Sequence, residues 1–146
     1  MPSARIDDKG RLVFPAEVVS FLKAVGVSKV FITTMDMRSV RVYPVSVWDE
    51  NVRLAEADID EPDETEQQMF LAKSLGGEDD IDNAGKVLLP VELRKKLGLD
   101  RQAVKLDVQQ NGCVSVVIQS VFETRMGAAE TAAPETWKKM RKRGFK

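Results

Sequence analysis

Short, dense apolar runs alternate with stretches of helical spacing along this chain. Leu12-Val13-Phe14 and Val87-Leu88-Leu89 each follow a glycine and a basic residue, the pattern of a tight turn entering a short buried strand. Longer runs cover Val30 to Thr34, Val40 to Tyr43, Val104 to Val108 and Cys113 to Ile118. They alternate poorly between apolar and polar residues, which predicts strands buried on both sides. The turns Asp36-Met37-Arg38-Ser39 and Asn111-Gly112 join them in pairs, and Asn-Gly is a strong hairpin signal. Between turn and hairpin, Val18, Phe21, Leu22 and Val25 share one helical face, as do Leu93 and Leu97. Pro15 and Pro90 sit where such helices can begin, and Gly26 and Gly98 where they can end.

These elements are two copies of one pattern. Asp7, Gly10, Arg11, Pro15 and Glu17 recur as Asp82, Gly85, Lys86, Pro90 and Glu92, a constant offset of 75. An internal repeat fixes the architecture before any local detail does. Two copies are too few for a solenoid. The expectation is an α+β fold: a pseudo-twofold pair of β-α-β-β units with interleaved strands and helices outside.

The copies are separated by a helical spacer. Ser46 with Asp49 has the form of a capping box, opening a helix through Val47, Trp48, Val52 and Leu54. An acidic loop interrupted by Pro62 follows, then a helix from about Glu64 to Leu75, stopped by Gly76-Gly77. Trp48 and Tyr43 are expected as core or interface anchors, and Cys113 as a small buried hydrophobe. Beyond Arg125, the string from Gly127 to Pro134 reads as a linker and Trp137 to Phe145 as a basic tail.

Composition narrows the function classes. There is no histidine and one cysteine, which excludes imidazole bases, Cys-His and Ser-His-Asp nucleophiles, disulfides within the chain and the common zinc sites. No catalytic residue, cofactor or metal is expected. No apolar run approaches the ~20 residues that cross a bilayer, and the amino terminus lacks a signal-peptide stretch, so the expected location is cytoplasmic. The net charge of −1 conceals an asymmetry. Six cations and no anion lie between Lys138 and Lys146, and without them 16 basic residues face 23 acidic ones. Seven carboxylates lie between Glu56 and Glu66 without the spacing or glycine of a calcium loop. A body of that sign binds nucleic acid only through local basic points.

The sharpest such points are Asp7-x-Lys9-Gly10-Arg11 and Asp82-x-x-Gly85-Lys86. With Pro15-Ala16, Met35-Asp36, Val42-Tyr43-Pro44, Trp48, Leu93-Arg94 and Gly98-Leu99, their order resembles the MraZ family over roughly residues 5 to 126. The resemblance implies two AbrB-like (swapped-hairpin) modules forming one double-psi-like β core with peripheral helices. Module 1 would span residues 1–50, the spacer with its acidic loop 51–77, module 2 78–126, and the linker with its basic tail 127–146. It further implies a ring homo-oligomer in the cytoplasm, associated with the nucleoid, that binds short direct repeats in promoter DNA upstream of division and cell-wall genes. DNA contacts are then expected from Arg11, Lys9, Arg5, Lys86 and Arg94, with Asp7 and Asp82 orienting and Gly10 and Gly85 forming the turns. Arginine offers a fork to guanine O6/N7 or phosphate, whereas Lys86 offers only a point charge. The sequence departs from the family pattern in having Val19 where module 1 carries Arg, Lys86 where module 2 carries Arg, and Ser115 to Ile118 in place of Glu-x-Trp. The alternative is an oligomeric protein-interaction module of the same fold that has lost DNA binding. The tail has three readings, a nuclear-type address, a phosphate-binding arm or disordered charge, of which the arm is preferred.

Overall fold

Glycines and prolines punctuate both copies alike. In the computed structural model, which describes residues 1–146, β1 (Ser3–Arg5) leads through the Gly10 turn into β2 (Arg11–Val13), α1 (Ala16–Ala24) and the hairpin β3 (Lys29–Thr33) and β4 (Ser39–Pro44). The second copy repeats this as β5 (Gly77–Asp80), β6 (Lys86–Leu88), α4 (Val91–Leu97), β7 (Ala103–Val108) and β8 (Val114–Ile118). Pro15 and Pro90 both occupy the cap position before their helices, with φ near −58° and extended ψ. Gly98 ends α4 in the left-handed conformation, φ 61°.

Strand pairing interleaves the halves. The main sheet runs β1-β7-β8-β4-β3-β5, antiparallel throughout, and β2 pairs with β6 in a separate ribbon. The edge strand of each half is thus held by the hairpin of the other. Eighteen residues form one core, to which Ile6, Leu12, Phe14 and Leu22 come from the first half and Val87, Leu89, Leu93 and Leu99 from the second. The fold is α+β, with antiparallel sheets and five helices.

The offset of 75 holds in the ribbon and at the helix starts but becomes 74 in the hairpins. Val30 and Ile32 enter the core as Val104 and Leu106 do, and Val40 and Val42 as Val114 and Val116 do. An offset of 75 there would turn inward residues outward, because side chains alternate along a strand. Helix α4 is two residues shorter than α1 and its connection to the next strand is one residue longer, a net loss of one that absorbs the difference.

The spacer packs on the opposite face of the sheet. There α2 (Val45–Glu56) and α3 (Pro62–Leu75) cover Phe31, Tyr43, Trp48, Met69, Ala72 and Cys113. Phe31 therefore faces away from Val30 and Ile32, which explains the poor alternation of β3. Trp48 stacks on Phe31 with ring centroids 4.2 Å apart, and Thr33 Oγ1 donates to the Ala72 carbonyl at 2.6 Å. Cys113 is a free, buried thiol, and burial raises its pKa.

Three local expectations are corrected. The capping box of Ser46 and Asp49 does not form: β4 runs into α2 through Pro44, which occupies the cap itself, and no side chain caps the helix. Much of the acidic stretch is helical, since α2 reaches Glu56 and α3 already begins at Pro62, in a first turn that loses no hydrogen bond to proline. Residues 127–134, expected as linker, belong to α5 (Gln119–Lys142), a continuous helix that runs through Pro134 and carries most of the basic tail. Alanines at 128, 129, 132 and 133 supply strong helix propensity that outweighs Gly127 and Pro134.

Candidate functional site

The two Asp-Gly-basic turns share one backbone frame. Asp7 Oδ1 accepts the amides of Lys9 and Arg11, both at 2.9 Å, and the Asp7 carbonyl accepts Gly10 N–H at 3.3 Å. Asp82 Oδ1 accepts the amides of Ala84 at 3.0 Å and Lys86 at 2.8 Å, and its carbonyl accepts Gly85 N–H at 2.9 Å. Each aspartate therefore serves as the internal acceptor that a short polar turn needs. Gly10 and Gly85 have φ 78° and 81°, a region costly for residues with Cβ.

Each turn also leans on the opposite half. The Gly10 carbonyl accepts Leu89 N–H, and the Gly85 carbonyl accepts Phe14 N–H, both at 2.9 Å. A Cβ on Gly10 would lie 2.1 Å from Arg94 Nε, and one on Gly85 would lie 2.4 Å from Val19 Cγ2. Val19 and Arg94 are thus repeat-related side chains, each lying against the other half's turn.

The side chains differ. Arg11 Nε donates to Asp7 Oδ2 at 2.6 Å, so the guanidinium is pre-oriented while its outer nitrogens stay free. The Arg11 amide, then its side chain, and the Lys9 amide stabilise the Asp7 carboxylate and hold its pKa down at about 2. Lys86 makes no ion pair. Arg94 grips Asp100 through Nε at 2.8 Å and Nη2 at 3.1 Å, with only 17% of its side chain exposed. Lys9 is exposed at the turn, whereas Arg5 lies on edge strand β1, opposite Ala103 and outside the ribbon.

Ribbon register brings two of the expected residues onto one surface. Arg11 stands opposite Leu88 and Val13 opposite Lys86, while Leu12 and Val87 between them point into the core. Because directly opposite residues share a face, Arg11, Val13, Lys86 and Leu88 form its outward side. Val13 and Leu88 were missed by sequence reading. Their only signal was period two around a buried centre, which three-residue strands hide. Arg101 was also missed; it is exposed, has φ 65° and donates its amide to the Asp7 carbonyl at 3.2 Å.

No group of three or more His, Cys, Asp or Glu side chains is placed to hold a metal, and no helix is long and apolar enough to cross a membrane. No family model matches the chain. Individual relatives do. The chain is 33% identical over 105 residues, 70% of both chains, to a protein of Thermomicrobium roseum named transcriptional regulator MraZ. A protein of the same name from Thiobacillus denitrificans is 32% identical over 130 residues, 89% of this chain and 86% of that one. Another, from Neisseria meningitidis, is 33% identical over 101 residues, 68% and 66% of the two chains. The chain belongs to the MraZ family. Within this MraZ chain, the two motifs that carried the resemblance are the turns that lead into the ribbon.

Proposed function

We propose that the chain is a DNA-binding transcriptional regulator, and that the β2–β6 ribbon with its two turns is the surface that meets DNA. The observation that carries this reading is the presence of Arg11 and Lys86 on one outward face, in a chain whose relatives are named transcriptional regulators. Arg11 is the principal contact: Asp7 fixes its fork, which suits bidentate recognition of guanine or phosphate. Lys9 and Lys86 serve as point charges to phosphates, with Arg5 as an outlying one. Arg94 supports from beneath, since it is tied to Asp100 under the Gly10 turn. Asp82 shapes its turn as Asp7 does.

The finer reading has two AbrB-like swapped-hairpin modules in a double-psi-like core, assembled as a ring. Such a ring reads short direct repeats in promoter DNA of the division and cell-wall gene cluster, on the nucleoid. Strand exchange between the halves supports the module assignment. Two unfilled surfaces support self-association. Helix α5 buries none of its residues, and a groove of about 460 Å³ opens between α1 and β7 beside Phe21 and Val108.

Titration of fluorescent duplexes from the chain's own upstream region, at several salt concentrations, tests the DNA reading. The expected result is tight binding to the upstream fragment that weakens steeply with salt. A competing reading, a protein-interaction module without DNA binding, is favoured by Ile59 and Phe70, which are 89% and 72% exposed among the acids of the α2–α3 hairpin. Equal, weak affinity for promoter and unrelated DNA would select it.

A further inference from the structure

Two aliphatic side chains stand in solvent on the ribbon. Val13 is 45% and Leu88 52% exposed, while their strand neighbours Leu12 and Val87 are 0% and 1% exposed. They are repeat-related, and each faces a cation: Leu88 stands opposite Arg11, and Val13 opposite Lys86. Two cations and two aliphatics therefore alternate at the corners of one small surface. The carboxylates at its border are tied down: Asp7 by the Arg11 side chain, Asp79 by the Leu88 amide at 2.7 Å and Asp82 by the Lys86 amide at 2.8 Å.

That chemistry matches the floor and walls of the DNA major groove, which combines phosphates, guanine acceptors and the C5-methyl groups of thymine. A second copy fits worse, because two such faces pressed together would crowd four cations into one small interface. Dimensions agree as well. A two-stranded ribbon enters a groove ~12 Å wide. Diagonal neighbours on a ribbon are ~7–8 Å apart, about two base-pair steps of ~3.4 Å each.

We infer that the ribbon enters the major groove with this face, and that Val13 and Leu88 are specificity-determining residues that read thymine methyl groups. The inference rests on the DNA reading above and adds to it a preference for thymine beside the bases or phosphates that Arg11 and Lys86 contact.

Replacing thymidine by deoxyuridine removes the methyl group and keeps the base pairing. The upstream duplex is synthesised in both forms and titrated with the parent, with a Val13→Ser/Leu88→Ser double variant and with Lys9→Ala. A buried methyl contact is worth about fourfold in affinity, so two give roughly fifteenfold. The parent should bind the uracil duplex weaker by that order, the double variant should bind both forms alike, and Lys9→Ala should keep the parent's discrimination at lower affinity. Both replaced residues are surface-exposed, and an unchanged melting temperature verifies folding of the double variant. Equal binding of both duplexes by the parent overturns the methyl assignment and leaves the DNA reading standing. No binding to either overturns both. Loss of oligomeric mass in the double variant, with discrimination retained, overturns the assignment in favour of a contact between copies.

Discussion

The Gly10 and Gly85 turns have the same backbone and different chemistry. In both, an aspartate collects two amides, a glycine takes positive φ, and the opposite half supplies a cross-brace through its amide. Only the first adds a guanidinium locked to its aspartate, with a second guanidinium, that of Arg94, packed beneath it. The second has a free lysine above and an aliphatic Val19 below. The frame is thus a requirement of folding, met twice. The oriented fork is an addition, made once. On this account the first turn supplies recognition, and the second supplies symmetry and charge.

Arg11→Ala should break the comparison most. It removes the oriented fork, once per subunit in the proposed ring, and each good bidentate contact is worth about 1–3 kcal/mol. In an assembly that engages several subunits the losses multiply. Promoter binding should fall beyond detection by anisotropy, with mass and melting temperature nearly unchanged, because Arg11 is on the surface. Next in size, Gly10→Ala and Gly85→Ala should both lower the melting temperature, through positive φ and the close neighbour. Adding Arg94→Ala should restore part of the loss in Gly10→Ala alone, and Val19→Ala part of it in Gly85→Ala alone. Cross-rescue would show that the turns are not braced as described. Lys86→Ala should weaken promoter binding by about fivefold, the scale of one exposed charge contact. Deletion of residues 134–146 should weaken binding to all sequences alike, since charge without base contact positions but does not specify.

Acid sharpens the same contrast by a smaller effect. The Asp7 pKa is lowered to about 2, chiefly by the Arg11 amide and side chain. The stability it contributes is present above the ordinary carboxylate pKa near 4 and is lost as pH falls towards 2. The Arg11 guanidinium NMR signals should therefore hold constant from pH 8 to 5 and change only below about 4, and Asp7→Asn should abolish that transition.

Much of this site could be read from sequence because it rests on punctuation. Asp7, Gly10, Pro15 and their repeats are residue types whose backbone preferences act locally, so their spacing announces the turns and the helix starts. What escaped depends on pairing or on context. The shift of the repeat from 75 to 74 appears only when β4 pairs with β8. Ser46 and Asp49 have capping-box spacing, but Pro44 had already taken the cap position. Gly127 and Pro134 are usual helix breakers, yet an alanine-rich segment carried α5 through both. Arg94 ends the second copy of the repeat, and the family resemblance places it with the DNA contacts, whereas its pairing with Asp100 appears only in the fold. Val13 and Leu88 read as core residues in an apolar run, until ribbon register turned them outward.

The most direct test of the central claim is the salt dependence of promoter affinity for the parent, Arg11→Ala and Lys86→Ala, measured side by side on the upstream duplex. The account predicts a steep parent slope, binding by Lys86→Ala that is weaker with a shallower slope, and no specific binding by Arg11→Ala at any salt concentration. Binding by Arg11→Ala as tight and as salt-dependent as the parent's would contradict it.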